Sequence, residues 1–105
     1  MEIKDFTVEE KEVLKFVSIC REFTLQEFCR RQEFYPELKV VDAPEKTLNA
    51  LVKKGMARMK EKKDGAEAYQ FLYGISMSFK DGKDRIYDAE QAEQDAIKLR
   101  YEICP

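Results

Sequence analysis

The apolar residues change their spacing at Gly55, and that change restricts what the chain can fold into. Ahead of it hydrophobic side chains recur every three or four residues, as on a helix face; behind it they alternate, as on a strand. Three stretches ahead of Gly55 carry the helical spacing. Thr7 followed by Glu10 forms a capping box, and Val13, Phe16, Val17 and Cys20 continue one face, which predicts a helix over about 8–20. Thr24 followed by Glu27 repeats the box, with Leu25, Phe28 and Cys29 as a buried stripe, which predicts a second helix over about 25–34. Tyr35-Pro36 ends it, because the residue before proline avoids helical backbone. Asp42 is the expected cap of a third helix, with Pro44 in its first turn and Leu48, Leu51 and Val52 facing inward. Gly55 is the expected stop.

Met56 to Lys63 and Ala66 to Tyr73 flank Asp64-Gly65, the strongest short-range hairpin signal. A two-residue turn there sets Lys62 opposite Glu67, Lys60 opposite Tyr69 and Arg58 opposite Phe71. Ile75, Met77 and Phe79 alternate with Ser76 and Ser78, which suggests a short third strand, and residues 80–84 read as a turn. Asp88 followed by Gln91 starts a fourth helix, in which Ala89, Ala92, Ala96, Leu99 and Ile103 fall at 3-4-3-4 spacing, the seam of a coiled coil. Two arrangements suit that seam: a dimerisation helix, or a helix folded back over the first one. We expect the dimer.

Composition narrows the chemistry. The 105 residues contain no His, which removes the commonest general base and metal ligand. Gly55, Gly65, Gly74 and Gly82 compose neither a phosphate loop nor a dinucleotide fingerprint, and Ser18, Ser76 and Ser78 have no imidazole to activate them. Hence we expect no enzyme activity, no catalytic residue, no metal, no cofactor and no small-molecule ligand. Three Cys cannot all pair within one chain. Cys20 and Cys29 are expected as buried thiols, and Cys104 as exposed. Neither a signal peptide nor a membrane-length apolar run is evident, so the expected setting is cytoplasmic.

The net charge of −2 conceals an uneven distribution. Residues 1–20 carry −2, residues 21–41 carry zero, residues 42–63 carry +4 and residues 64–105 carry −4. The one basic block therefore spans the third helix and the first hairpin strand.

Two segments resemble a known family. Phe23-Thr24-Leu25-Gln26-Glu27-Phe28 is similar to the entry into the second helix of winged helix-turn-helix domains, and Lys46-Thr47-Leu48-Asn49-Ala50-Leu51-Val52-Lys53-Lys54-Gly55-Met56 to their third helix running into the wing. The resemblance covers about residues 7–73 and departs in the long stretch from Tyr35 to Val41 and in the acidic Asp42 and Glu45. It implies an α+β, mainly α fold: three helices plus a β-hairpin wing, with the C-terminal helix added. Residues 1–79 then form the winged domain, and residues 80–105 a dimerisation element packed on it.

The function it implies is a sequence-specific regulator of transcription that binds double-stranded DNA as a homodimer. Pro44, Glu45, Lys46 and Asn49 are the implied base contacts. Thr24, Arg30, Arg31, Lys53, Arg58, Lys60, Lys62 and Lys63 are the implied backbone and wing contacts. The alternative is a winged-helix protein-interaction module in a transcription, replication, viral or plasmid complex.

Overall fold

The computed structural model describes residues 2–77 and 80–103. The fold is α+β, with close to half of the chain helical and two small antiparallel sheets. After a 3-10 turn at Ile3–Asp5, the chain runs α1 (Val8–Phe16), β1 (Glu22–Thr24), α2 (Leu25–Phe34), a second 3-10 turn (Pro36–Val40) and α3 (Pro44–Lys53). It continues through β2 (Ala57–Glu61), β3 (Glu67–Phe71), β4 (Tyr73–Met77), β5 (Asp84–Asp88) and α4 (Ala89–Ile103). One sheet has the order β1-β3-β2, and the other pairs β4 with β5.

Both threonine capping boxes form. The Thr7 and Thr24 hydroxyls accept from the amides of Glu10 and Glu27, and each glutamate carboxylate accepts from its threonine's amide. The first helix is shorter than its periodicity predicts and ends at Phe16. The amides of Ile19 and Cys20 both converge on the Phe16 carbonyl, at 2.9 and 3.1 Å, in a tight turn. That turn keeps Phe16 and Val17 in the core while the chain reverses into β1, so tertiary packing overrides helical spacing.

The third helix starts one residue later than Asp42 implies. Ala43 is its N-cap without a side-chain bond, and Pro44 occupies the first turn as expected. At its far end Gly55, with φ +82°, donates to the Val52 carbonyl, and Met56 donates to that of Leu51. This is a Schellman stop, and it requires the left-handed backbone that glycine tolerates.

The hairpin between β2 and β3 forms, but its register differs by one residue from the expected one. Ala57 faces Phe71, Arg58 faces Gln70, Met59 faces Tyr69, Lys60 faces Ala68 and Glu61 faces Glu67. A two-residue turn of the expected kind needs positive φ at both Asp64 and Gly65. Only Gly65 has it, at +84°. The Lys62 carbonyl instead accepts from the Gly65 amide at 2.9 Å, and the Lys62 amide donates to the Ala66 carbonyl at 2.8 Å. The loop is thus a three-residue turn closed by a left-handed glycine. The slip places Arg58 and Lys60 on the outward face with Gln70, and Ala57 and Met59 on the face that carries Tyr69 and Phe71.

The expected third strand is β4, whose partner β5 takes in residues just before the fourth helix. Ser78 and Phe79, also expected in that strand, lie outside the described residues. Asp88 caps α4 by accepting from the Gln91 amide at 2.9 Å.

The core gathers on an aromatic cluster. Phe23, from the short β1, packs with ring centres 5.4 Å from Phe28, 5.5 Å from Phe71 and 6.1 Å from Phe16. Tyr35 meets Phe16 edge-on at 5.2 Å. The long stretch after α2 is ordered by Gln32, whose side-chain amide donates to the carbonyls of Leu38 and Val41, both at 2.9 Å. Leu38 and Val41 are thereby held in the core. Of the thiols, Cys20 is half-buried, whereas Cys29 is exposed rather than buried as its stripe implied. Only Phe28 of α2 is fully buried, so the buried stripe of that helix is too narrow to reach Cys29. Cys104 lies outside the described residues.

In the second sheet Gly74 faces Tyr87, and a β-carbon at Gly74 would stand 2.7–2.9 Å from the tyrosine ring and hydroxyl. Gly74→Ala is therefore expected to displace Tyr87 and lower unfolding stability by about 1–2 kcal/mol. A urea titration showing an unchanged midpoint would contradict that packing.

Candidate nucleic-acid interface

The basic block folds into two patches. The first lies at the N-terminal end of α3. Pro44, Glu45, Lys46 and Asn49 line one shallow depression of about 490 Å³ together with Ala43. Pro44 is half-buried and the other three expected base contacts are exposed. Asn49 is also fixed from below. The buried Tyr69 of β3 donates its hydroxyl to Asn49 Oδ1 at 2.8 Å, which orients the amide and occupies one lone pair of its oxygen. Burial raises the Tyr69 phenol above its ordinary value, with Glu45 and Glu67 adding to the shift, so this donor keeps its proton. Nothing in the helical spacing announced the tyrosine–asparagine bond.

The second patch is on the β2 side of the hairpin. Lys60, Lys62 and Lys63 line a concavity of about 500 Å³ with Glu22, Glu61 and Asp64. Here the charge is largely matched. Lys62 Nζ donates to Glu27 Oε1 at 2.8 Å, and Lys60 Nζ lies 3.3 Å from Glu22 Oε1. Arg58 Nε donates to Gln70 Oε1 at 2.6 Å. The hydrogen bond from Lys62 and the capping amide of Thr24 hold the Glu27 carboxyl below its ordinary value, and the same contact raises Lys62. Within the basic segment Lys46, Lys53, Arg58 and Lys63 have no carboxylate partner among the described residues. Arg30 is exposed and Arg31 half-buried in the second half of α2, while the Thr24 hydroxyl is engaged in its cap.

One lysine of the block does structural work. Lys54, the C-cap of α3, donates to Glu10 Oε1 at 2.7 Å and to the Asp5 carbonyl at 3.0 Å, and sits 5.3 Å from the centre of the Phe6 ring. Glu10 is 3% exposed, and its second oxygen has no hydrogen-bond partner. Burial pushes the Glu10 carboxyl up, but Lys54 and the Thr7 amide outweigh it, and the net shift is downward. The pair welds the start of α1 to the end of α3.

The seam of α4 divides. Ala89 is buried against its own chain, and residues 90–99 are exposed throughout. Ala92, Ala96 and Leu99 thus stand outside the body, and the side chain of Ile103 lies outside the description. Arg21 ties the foot of the helix down, bonding Glu93 and the Phe71 carbonyl. Among the described residues no three metal-ligating side chains cluster, and no helix is long and apolar enough to cross a membrane.

Compared with known proteins, the chain matches no family model, no curated protein and no solved structure.

The folded-state carboxyls of Glu10 and Glu27 lie below their unfolded values. Their stabilisation is complete above about pH 4.5 and is lost as pH falls through the folded values. Urea midpoints are expected to be level near neutrality and to drop below that pH. Lys54→Ala leaves Glu10 buried without its cation and is expected to cost about 2–3 kcal/mol at pH 7. The deficit should shrink in acid as Glu10 protonates; a deficit independent of pH would contradict the ion-pair assignment.

Proposed function

We propose that the chain is a winged helix-turn-helix module that binds double-stranded DNA sequence-specifically and regulates transcription as a homodimer, without chemistry of its own. The order α1-β1-α2-α3-β2-β3, with the sheet arranged β1-β3-β2, supports the fold assignment. The observation that carries the function is the α3 depression. It combines Lys46, a cation without a carboxylate partner among the described residues, with Asn49, an amide that Tyr69 orients. Lysine donates to guanine and asparagine pairs with adenine in the major groove. Lys53 and Lys63 then supply phosphate contacts to either side.

The test is duplex binding titrated with salt. Affinity is expected to fall as salt rises, with a log–log slope of about −0.9 for each phosphate neutralised. Lys53→Ala should reduce the slope by about one and weaken all sequences alike, whereas Asn49→Ala should relax discrimination between sequences. Duplex binding without a salt slope, unchanged by either substitution, would overturn the proposal. It would favour the protein-interaction alternative, which the 76% exposed Phe34 at the end of α2 also supports.

The dimer rests on α4. Its Ala92-Ala96-Leu99 face leaves the body uncovered, with Leu99 55% exposed, and continues from a concavity of about 570 Å³ lined by Val17, Ile19, Tyr87 and Ala92. A second copy of the helix buries that face, and three carboxylates in its first half against Lys98, Arg100 and a single carboxylate, Glu102, in its second favour antiparallel pairing. Sedimentation of the full chain is expected to give a dimer at micromolar concentration, and Leu99→Asp with Ala96→Asp a folded monomer. A monomeric unsubstituted chain would sink the dimer.

A further inference from the structure

We propose that the outward face of β2 is a phosphate-binding stripe that the fold holds closed with two of its own carboxylates, Glu22 and Glu27. This proposal deepens the DNA-binding reading and rests on it. Arg58 and Lys60 lie two residues apart in β2, and Lys62, just past its end, continues the ladder by donating to the Ala66 carbonyl, so the three side chains leave the same side of the hairpin about 6.5–7 Å from one another. Each already meets a group that stands in for a phosphate oxygen. Arg58 takes the Gln70 amide oxygen at 2.6 Å, Lys60 the Glu22 carboxylate at 3.3 Å and Lys62 the Glu27 carboxylate at 2.8 Å.

The acceptors come from β1, the start of α2 and β3, so the closure spans the whole sheet. The two contacts with glutamate differ in kind. Glu27 is a fixed acceptor, since its carboxylate also closes the α2 capping box. The contact between Lys60 and Glu22 is an ion pair without hydrogen-bond alignment, and Glu22 Oε1 is buried with no hydrogen-bond partner. Lys60 is therefore the weaker lock and opens first.

Binding a nucleic-acid backbone exchanges these carboxylates for phosphates. Each exchange gives up an internal ion pair and leaves a glutamate beside the incoming polyanion. Both effects lower affinity, so the unsubstituted chain binds more weakly, and with a shallower salt dependence, than its count of cations implies. Sequence discrimination at α3 then carries a larger share of the binding free energy, because the non-specific contribution is held down.

The test uses Glu22→Gln with Glu27→Gln in the full chain. Glutamine serves a capping box as well as glutamate, so α2 keeps its start. Affinity for random-sequence duplex is expected to rise about tenfold, and the log–log salt slope to steepen by one to two. Lys60→Ala with Lys62→Ala should weaken the double-glutamine variant more than the unsubstituted chain. An unsubstituted chain that binds duplex, together with a double-glutamine variant of equal affinity and slope, overturns the closure and leaves the DNA reading standing. A variant that binds where the unsubstituted chain does not supports both. If neither binds at low salt, both fall.

Discussion

Phe23 is the side chain on which the rest of the molecule depends. It sits in a strand of only three residues, is fully buried, and meets aromatic rings from α1, α2 and β3. Removing the ring would take away the contact that makes one core of two helices and a sheet. Its neighbours in β1 extend that role outward. Glu22 turns to Lys60 of the hairpin, and Thr24 starts α2. Interior packing and surface electrostatics are therefore set by the same three residues.

A second constraint is the placement of cations against carboxylates. The sequence concentrates positive charge between residues 42 and 63, and folding disperses much of it. Lys54 is drawn inward to the buried Glu10, and Lys60 and Lys62 are drawn back across the sheet. What stays open to solvent is smaller than the linear count suggests, and it concentrates at α3 and the tip of the hairpin. A weakly attractive surface of that kind suits recognition by shape and hydrogen bonding more than coating of any polyanion.

The local features were legible in the chain. Thr7 with Glu10, Thr24 with Glu27, Pro44 and Gly55 each act within one helical turn, and each does what its side chain dictates. The helix α4 follows from its spacing and its Asp88 cap. What escaped was non-local. Strand β1 has a single buried residue, and its reason to be extended lies on β3 far along the chain. Strand β5 carries charges at both ends and exists because β4 pairs with it. The hairpin register turned on whether Asp64 or only Gly65 adopts positive φ, a choice that composition leaves open. At the candidate interface, Pro44, Glu45, Lys46 and Asn49 could be grouped from helical spacing. Tyr69, which bonds Asn49, and Glu22 and Glu27, which pair with Lys60 and Lys62, come from other elements, and no local spacing announces those contacts.

The three-residue turn also bears on how such a surface can change over generations. Loop length sets hairpin register, and register decides which side chains look outward. A residue at position 64 that accepts positive φ would favour the two-residue turn, which re-pairs the strands and sets Arg58 against Phe71 and Lys60 against Tyr69 without altering a single amino acid in either strand. A change at that tip, more than substitution along the strands, is thus the shortest path by which descendants of this chain acquire a new surface.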